Sequence, residues 1–294
     1  MVLSRAEATC HGAVTIVNAM ATGKGAAAGI DLWTRARVSL TSDRLSIVPQ
    51  NLTHPEESTK LIEVTVRQVF RRFGLGRRLG AIVETESNIP VAVGLKSSSA
   101  ASTAVSLACV KALDKKLTDV EIVKLGVEAS LSVGVTITGA YDDACACYFG
   151  GVVVTDNARM KLLKRFAPKD RVGVLIHVPK KKVYTRDVDR ARVKTVKSIV
   201  SVAHKEALRG NYWNALTLNG LAYSNVFGYG TEATIEALGA GAMAAGLTGK
   251  GPAVAVIVPE SKVDSVRSAW QHLKGQILET KLNFKQATAR AIEP

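Results

Sequence analysis

Residues 89–105 read IPVAVGLKSSSAASTAV. Pro90 interrupts regular backbone pairing, Gly94 lets the main chain come close to a ligand, and Ser97–Ser99 open a helix of small residues. The first N–H groups of a helix have no partner inside it and carry its positive end, so they attract anions. Serine hydroxyls cap that end and can coordinate a cation, and Lys96 adds a point charge. A capped helix packed into a core accounts for the serines alone. With Gly94 and Lys96 beside them, the passage reads as an anion cradle over Gly94, Leu95, Lys96, Ser97, Ser98, Ser99 and Ala100.

The cradle is not a P-loop. Gly23-Lys24 and Gly249-Lys250 are each followed by glycine and lack the required upstream glycine, so no GxxxxGK[ST] exists in the chain. A second glycine-rich passage, GLTGKGPAVAVIV at residues 246–258, runs through a tight turn into an apolar strand. Gly23-x-Gly25-x-x-Ala28 superficially matches a dinucleotide fingerprint, but the β-forming run Ile30–Leu40 follows where a helix is required.

Between the two glycine-rich passages lies TGAYDDA at residues 138–144, two adjacent carboxylates in an otherwise uncharged stretch from Ala129 to Cys147. Carboxylates among apolar residues need a positive or proton-donating neighbour. Asp142 is the preferred catalytic candidate, with Asp143 the alternative and helix capping the structural explanation for either. Glu128, on a predicted helix, has Lys124 at the adjacent helical offset and reads by itself as a surface ion-pair partner.

The 294 residues are 47% hydrophobic, enough for a substantial core, and carry a net charge of +14 that favours anionic partners. Nucleic acid is disfavoured: basic residues are spread along the chain and aromatics for base stacking make up only 5%. The basic clusters Arg71, Arg72, Arg77, Arg78 and Lys180–Lys182 read as solvated helix ends or turns. No apolar run spans a membrane, since Ala8–Gly23 is broken by His11 and Asn18. Four scattered cysteines make no disulfide framework, and Cys145 and Cys147 would share one face of a strand. The expectation is a cytoplasmic protein without a signal peptide or membrane partner.

Hydrophobic spacing predicts strands at Val2–Ala8, Ala13–Ala19, Ile30–Leu40, Leu45–Val48 and Leu79–Glu86. Helices are expected at Glu56–Phe73, at Ser99–Leu113 and after the capping pair Thr118 and Glu121, then a strand at Ala146–Thr155. The second half reads as strand Arg171–Val178, helices Asp187–Arg209, Tyr212–Val226 and Thr231–Ala244, strand Ala253–Val258, helix Val263–Leu273 and strand Ile277–Asn283. The class is α+β, with a boundary in the basic stretch after Asn157 that separates domains 1–157 and 170–294.

The cradle resembles the P-x-x-x-G-L-G-S-S-A-A phosphate loop of the kinase superfamily of galactokinase, homoserine kinase, mevalonate kinase and phosphomevalonate kinase (GHMP). Pro90, Gly94, Leu95, Ser97 and Ser98 match, whereas Lys96 replaces the second glycine and Ser99 the first alanine. Thr248, Gly249, Gly251 and Pro252 resemble the superfamily's third motif, and Asp142 its G-x-D-N aspartate. GAVTIVNAMATGKGAAAGIDL (residues 12–32) together with GLKSSSAAS (94–102) is similar to the archaeal shikimate kinases within it.

The resemblance covers essentially the whole chain. It implies a two-domain GHMP kinase fold, with an N-terminal half like domain 2 of ribosomal protein S5 and a ferredoxin-like α+β C-terminal half. It implies ATP as phosphoryl donor and shikimate as acceptor, phosphorylated at its 3-hydroxyl. Pro90 and Gly94–Ala100 would hold the nucleotide, and Ser98 with Glu128 would hold Mg²⁺. Asn18, Lys24, Asp142, Thr248 and Gly249 would contact the acceptor, with Asp142 orienting or accepting its proton. Lys24 either offsets developing charge or is a solvated loop lysine. Homoserine or mevalonate kinase is the alternative within the superfamily; an RNA-binding module is the alternative outside it.

Overall fold

The computed structural model describes residues 2–43, 45–76, 78–180 and 189–293; Arg77 and Lys181–Lys182 of the basic clusters lie outside them. Among the described residues the chain forms two sheets. The first is built on two long antiparallel strands, β1 (Val2–Val17) and β2 (Lys24–Thr41). The expected strands Val2–Ala8 and Ala13–Ala19 are thus one element, irregular where the register shifts at His11/Gly12. β3 (Ile47–Asn51) runs parallel to β4 (Gly80–Ser87), which pairs with the second half of β2.

Helix α1 (Lys60–Arg72) buries Ile62, Val66, Val69 and Phe70, the face its spacing predicted. α2 (Ser97–Ala112) is buried almost all round, and α3 (Asp119–Ser132) starts on the predicted Thr118–Glu121 capping box. Beyond α3 the expectation needs correction. Residues 146–149 are the end of helix α4 (Tyr141–Phe149), closed by Gly150, and the strand β5 (Val152–Asp156) begins only afterwards. The run ACACYF is buried throughout. A fully buried segment loses the periodicity that separates strand from helix. On a helix, Cys145 and Cys147 point to different sides; both thiols are free and buried.

β5 pairs with the first half of β2, placing Thr155 opposite Gly25, and with β6 (Lys161–Phe166). β6 is half-exposed and charged, which hid it in a stretch read as a basic linker.

The second sheet has the order β10 (Gln276–Lys281), β7 (Val172–Val178), β9 (Val254–Pro259), β8 (Ala244–Leu247), all antiparallel. Its strands alternate between two cores. Val174, Ile176, Ala255 and Ile257 face the main core, while Leu175, Val254, Val256 and Val258 face a smaller one around Trp270. The long helix expected over Asp187–Arg209 has its first two residues outside the described set; from Arg190 it is α5 (Arg190–Thr195) and α6 (Lys197–Arg209), divided at Val196.

Helix α7 (Tyr212–Phe227) packs against both β1 and β8. α8 (Glu232–Gly239) stops before the expected Ala244, which instead opens β8, and α9 (Val263–Ala269) is shorter than read. A last strand not foreseen, β11 (Thr288–Ile292), returns to the first sheet and pairs with β1. The main core accordingly holds residues from both halves, among them Ile16, Ala100, Val200 and Leu216.

Candidate active site

The cradle forms as a loop leading into α2, and the second glycine-rich turn sits on top of it. Gly94 has φ +96, and a β-carbon there would fall 2.1 Å from the carbonyl oxygen of Thr248, so only glycine permits the approach. The Thr248 hydroxyl donates to the Gly94 carbonyl at 2.9 Å and accepts from the Thr15 amide at 3.0 Å. Lys96 occupies the left-handed region at φ 67, a conformation that glycine adopts most readily. Its side chain is largely buried and turns back into the site. Nζ donates to Thr15 Oγ1 at 2.6 Å and lies 3.2 Å from Asp143 Oδ1.

Thr15 is the hinge of this arrangement, since its hydroxyl oxygen also accepts from the Gly249 amide at 2.9 Å. Asn18 closes the same corner. Its Nδ2 donates to the Gly249 carbonyl at 2.8 Å, its Oδ1 accepts from Met20, and its backbone N–H donates to Asn219 Oδ1 of α7. These bonds join the end of β1, the cradle, residues 248–252 and α7 into one wall of a cleft.

The opposite wall is the start of α4. Asp142 is 3% exposed, with its Oδ1 accepting from Asn157 Nδ2 at 2.7 Å. Its Oδ2 lies against Gly25, where a β-carbon would come within 2.2 Å of it. Burial, reinforced by the neighbouring Asp143 charge, pushes the Asp142 carboxyl up to about 7, against the opposing effects of Asn157 and Lys96. Asp143 instead faces Lys96. Two adjacent carboxylates thus receive different environments: one is enclosed and proton-retaining, the other ion-paired.

The cleft brings together Asn18, Gly94, Lys96, Ser97, Ser98, Ser99, Asp142, Asp143 and Gly249 of the expected residues. It does not bring in the others. Leu95 and Ala100 are buried in the core, Pro90 is half-buried outside the cleft, and Thr248 is fully buried as a support beneath Gly94. Lys24 is exposed at the start of β2 and Glu128 is exposed on α3, neither lining the cleft. Of the expected metal pair, Ser98, exposed at the α2 N-terminus, lines the cleft, and Glu128 does not.

Sequence reasoning missed Thr15, Gly25 and Asn157 as site residues, and also Thr136 and Thr138, whose loop lines the cleft. Thr15 carried a faint signal as the single polar side chain in the apolar run Ala13–Val17, whereas Asn157 follows Thr155 and Asp156 and carried none. Gly25 was read against the wrong ligand: its use is to admit the Asp142 carboxylate.

Residues 60–151 match the family described as "GHMP kinases N terminal domain" and residues 206–275 that described as "GHMP kinases C terminal". The chain is 45% identical over 278 residues to a protein named shikimate kinase from Methanosarcina mazei, covering 94% of each. It is 44% identical over 282 residues to the protein of that name from Methanosarcina acetivorans, covering 95% of each. Among solved structures, a homoserine kinase from Cytophaga hutchinsonii superposes with a TM-score of 0.75 at 14% identity over 98% of both chains, a likeness of fold. With the glycine- and serine-rich loop, the buried aspartate and the two-sheet architecture in place, the chain belongs to the GHMP kinases, in the branch that holds the archaeal shikimate kinases.

Proposed function

We propose that the protein transfers the terminal phosphoryl group of ATP to the 3-hydroxyl of shikimate, giving shikimate 3-phosphate and ADP. The observation that carries this reading is the cleft itself, where the free amides of the α2 N-terminus and the enclosed carboxylate of Asp142 face the same space. The acceptor is supported by the relatives' name at 44–45% identity across nearly the whole chain.

Phosphoryl transfer asks little covalent work of a protein; it asks for positioning and for charge placed where charge develops. The amides of Ser97, Ser98 and Ser99 would receive the phosphate oxygens, as helix N-termini do. Ser98, whose hydroxyl lines the cleft at the start of α2, would hold the Mg²⁺ that accompanies ATP, and that ion would supply positive charge to the phosphates. Lys96, fixed between Thr15 and Asp143, sets positive charge between cradle and carboxylates. Asp142 orients the acceptor hydroxyl and takes its proton, and a carboxyl raised to about 7 is a far stronger base than an ordinary aspartate. Asn18 and Gly249 form the acceptor side of the cleft.

The test is ADP release from Mg-ATP with shikimate, homoserine and mevalonate as acceptors. Turnover with shikimate well above the other two is expected. Equal or faster turnover of homoserine or mevalonate would overturn the acceptor and leave the fold intact; tight, salt-steep RNA binding without turnover would overturn the kinase reading.

A further inference from the structure

We propose that Asn157, held by Thr155, is the positioning residue that fixes the Asp142 carboxylate for its work on the acceptor hydroxyl. The inference rests on the reading of Asp142 given above. Neither Asn157 nor Thr155 lines the cleft, and both are buried. They act through Asp142.

The geometry leaves the Asn157 amide one orientation. Its Oδ1 accepts from the Thr155 hydroxyl at 2.7 Å and from the Asp142 backbone N–H at 3.2 Å. A flipped amide would set its NH₂ against the Asp142 N–H and its oxygen against the carboxylate. In the observed orientation Nδ2 must donate to Asp142 Oδ1, at 2.7 Å. The Thr155 hydroxyl has one proton and a second acceptor, the Gly25 carbonyl, but at the longer distance of 3.3 Å.

The β2–β5 register sets Gly25 directly opposite Thr155. The same strand pair therefore presses Gly25 against Oδ2 and hands Asn157 to Oδ1. The Thr155 carbonyl lies 3.2 Å from Nε2 of the buried His204 on α6, which buttresses the strand from the second half of the chain.

A hydrogen bond donated to a carboxylate favours its charged form. The groups that face Asp142 are Asp143 and Cys145 on its own helix, Lys96 from the start of α2, Asn157 from the end of β5 and Tyr223 from α7. Burial keeps Tyr223 and Cys145 protonated. Asp143 opposes ionisation of Asp142 and Lys96 favours it, so Asn157 is the neutral donor that tips Asp142 toward the base form. Without it, the carboxylate is both free to rotate and harder to ionise.

The experiment uses the full chain and reads kcat and KM for both substrates between pH 5.5 and 9. Wild-type kcat should rise along an acid limb near 7. Asn157→Ala should move that limb upward by about one pH unit and lower kcat near neutrality about fivefold, with KM for ATP changed less than twofold. Thr155→Val, which frees the amide to turn, should move the limb the same way, and Thr155→Ser should restore it. Should Asn157→Ala fail to fold by thermal melting, the Thr155→Val and Thr155→Ser pair decides. A uniform loss of kcat at every pH with the limb in place, or a rise in KM for ATP that accounts for the loss, overturns the assignment. Full activity in Asp142→Asn would instead remove the reading of the site on which it stands.

Discussion

The carboxylate of Asp142 rests on the backbone of Gly25, with no room between them for a methyl group: a β-carbon on Gly25 would lie 2.2 Å from Oδ2 and 2.6 Å from Cγ. This contact spans the first sheet and the start of α4, so the strand that carries Gly25 backs the Asp142 carboxylate from outside the cleft.

Gly25→Ala should therefore displace Asp142 and abolish most turnover, while costing about 1–3 kcal/mol of stability through overpacking. Urea unfolding and steady-state kinetics check both halves of that statement. A variant that keeps wild-type kcat would show that the carboxylate has another productive position.

Asp142→Asn keeps the shape and removes the charge. With the carboxylate acting, as proposed, on the acceptor and not on the cradle, turnover is expected to fall roughly 10² to 10⁴-fold with the nucleotide dissociation constant nearly unchanged. Asp143→Asn should be milder in turnover, because Asp143 answers to Lys96. If Asp143→Asn is the inactive one, the two roles are exchanged.

Lys96→Met strands the Asp143 carboxylate in a largely buried place. Removing one partner of such a pair costs on the order of 3 kcal/mol, and replacing both partners by apolar groups recovers much of it. The double variant Lys96→Met with Asp143→Leu should melt closer to wild type than Lys96→Met alone, yet bind nucleotide more weakly than wild type by calorimetry. A single variant as stable as wild type would mean that the ion pair carries no structural weight.

Asp142 also links stability to pH. Its carboxyl ionises near 7 in the folded chain, against about 3.9 for an unfolded aspartate. Between those values the folded chain holds a proton that the unfolded chain has released, so this group's contribution to stability is lost as pH rises through the window. Asp142→Asn has no such loss. Its melting temperature relative to wild type should climb from pH 4 to pH 7 and then level off; a flat difference would place the Asp142 carboxyl at an ordinary value.

Much of this protein was legible in its sequence. The amphipathic face of α1, the Thr118–Glu121 box of α3 and the glycine and serines that open α2 are local features, and they fold as their spacing and chemistry dictate. The meeting of the two glycine-rich passages with TGAYDDA was also foreseeable, because the resemblance to a kinase superfamily orders them around one site. Where burial is complete, local pattern is silent: the last four residues of α4 read as the start of a strand, and the half-exposed edge strand β6 has no alternation to read. The roles within the site depended wholly on tertiary structure. Thr15 meets Thr248 across 233 positions of sequence, Asn157 and Gly25 reach Asp142 from a strand pair, and Lys96 turns inward to Asp143 while Lys24 and Glu128 stay outside the cleft. A residue's type announces what chemistry it can do, but the dielectric around it and the donor aimed at it come from chain segments far away, and those two quantities set how readily Asp142 gives up its proton.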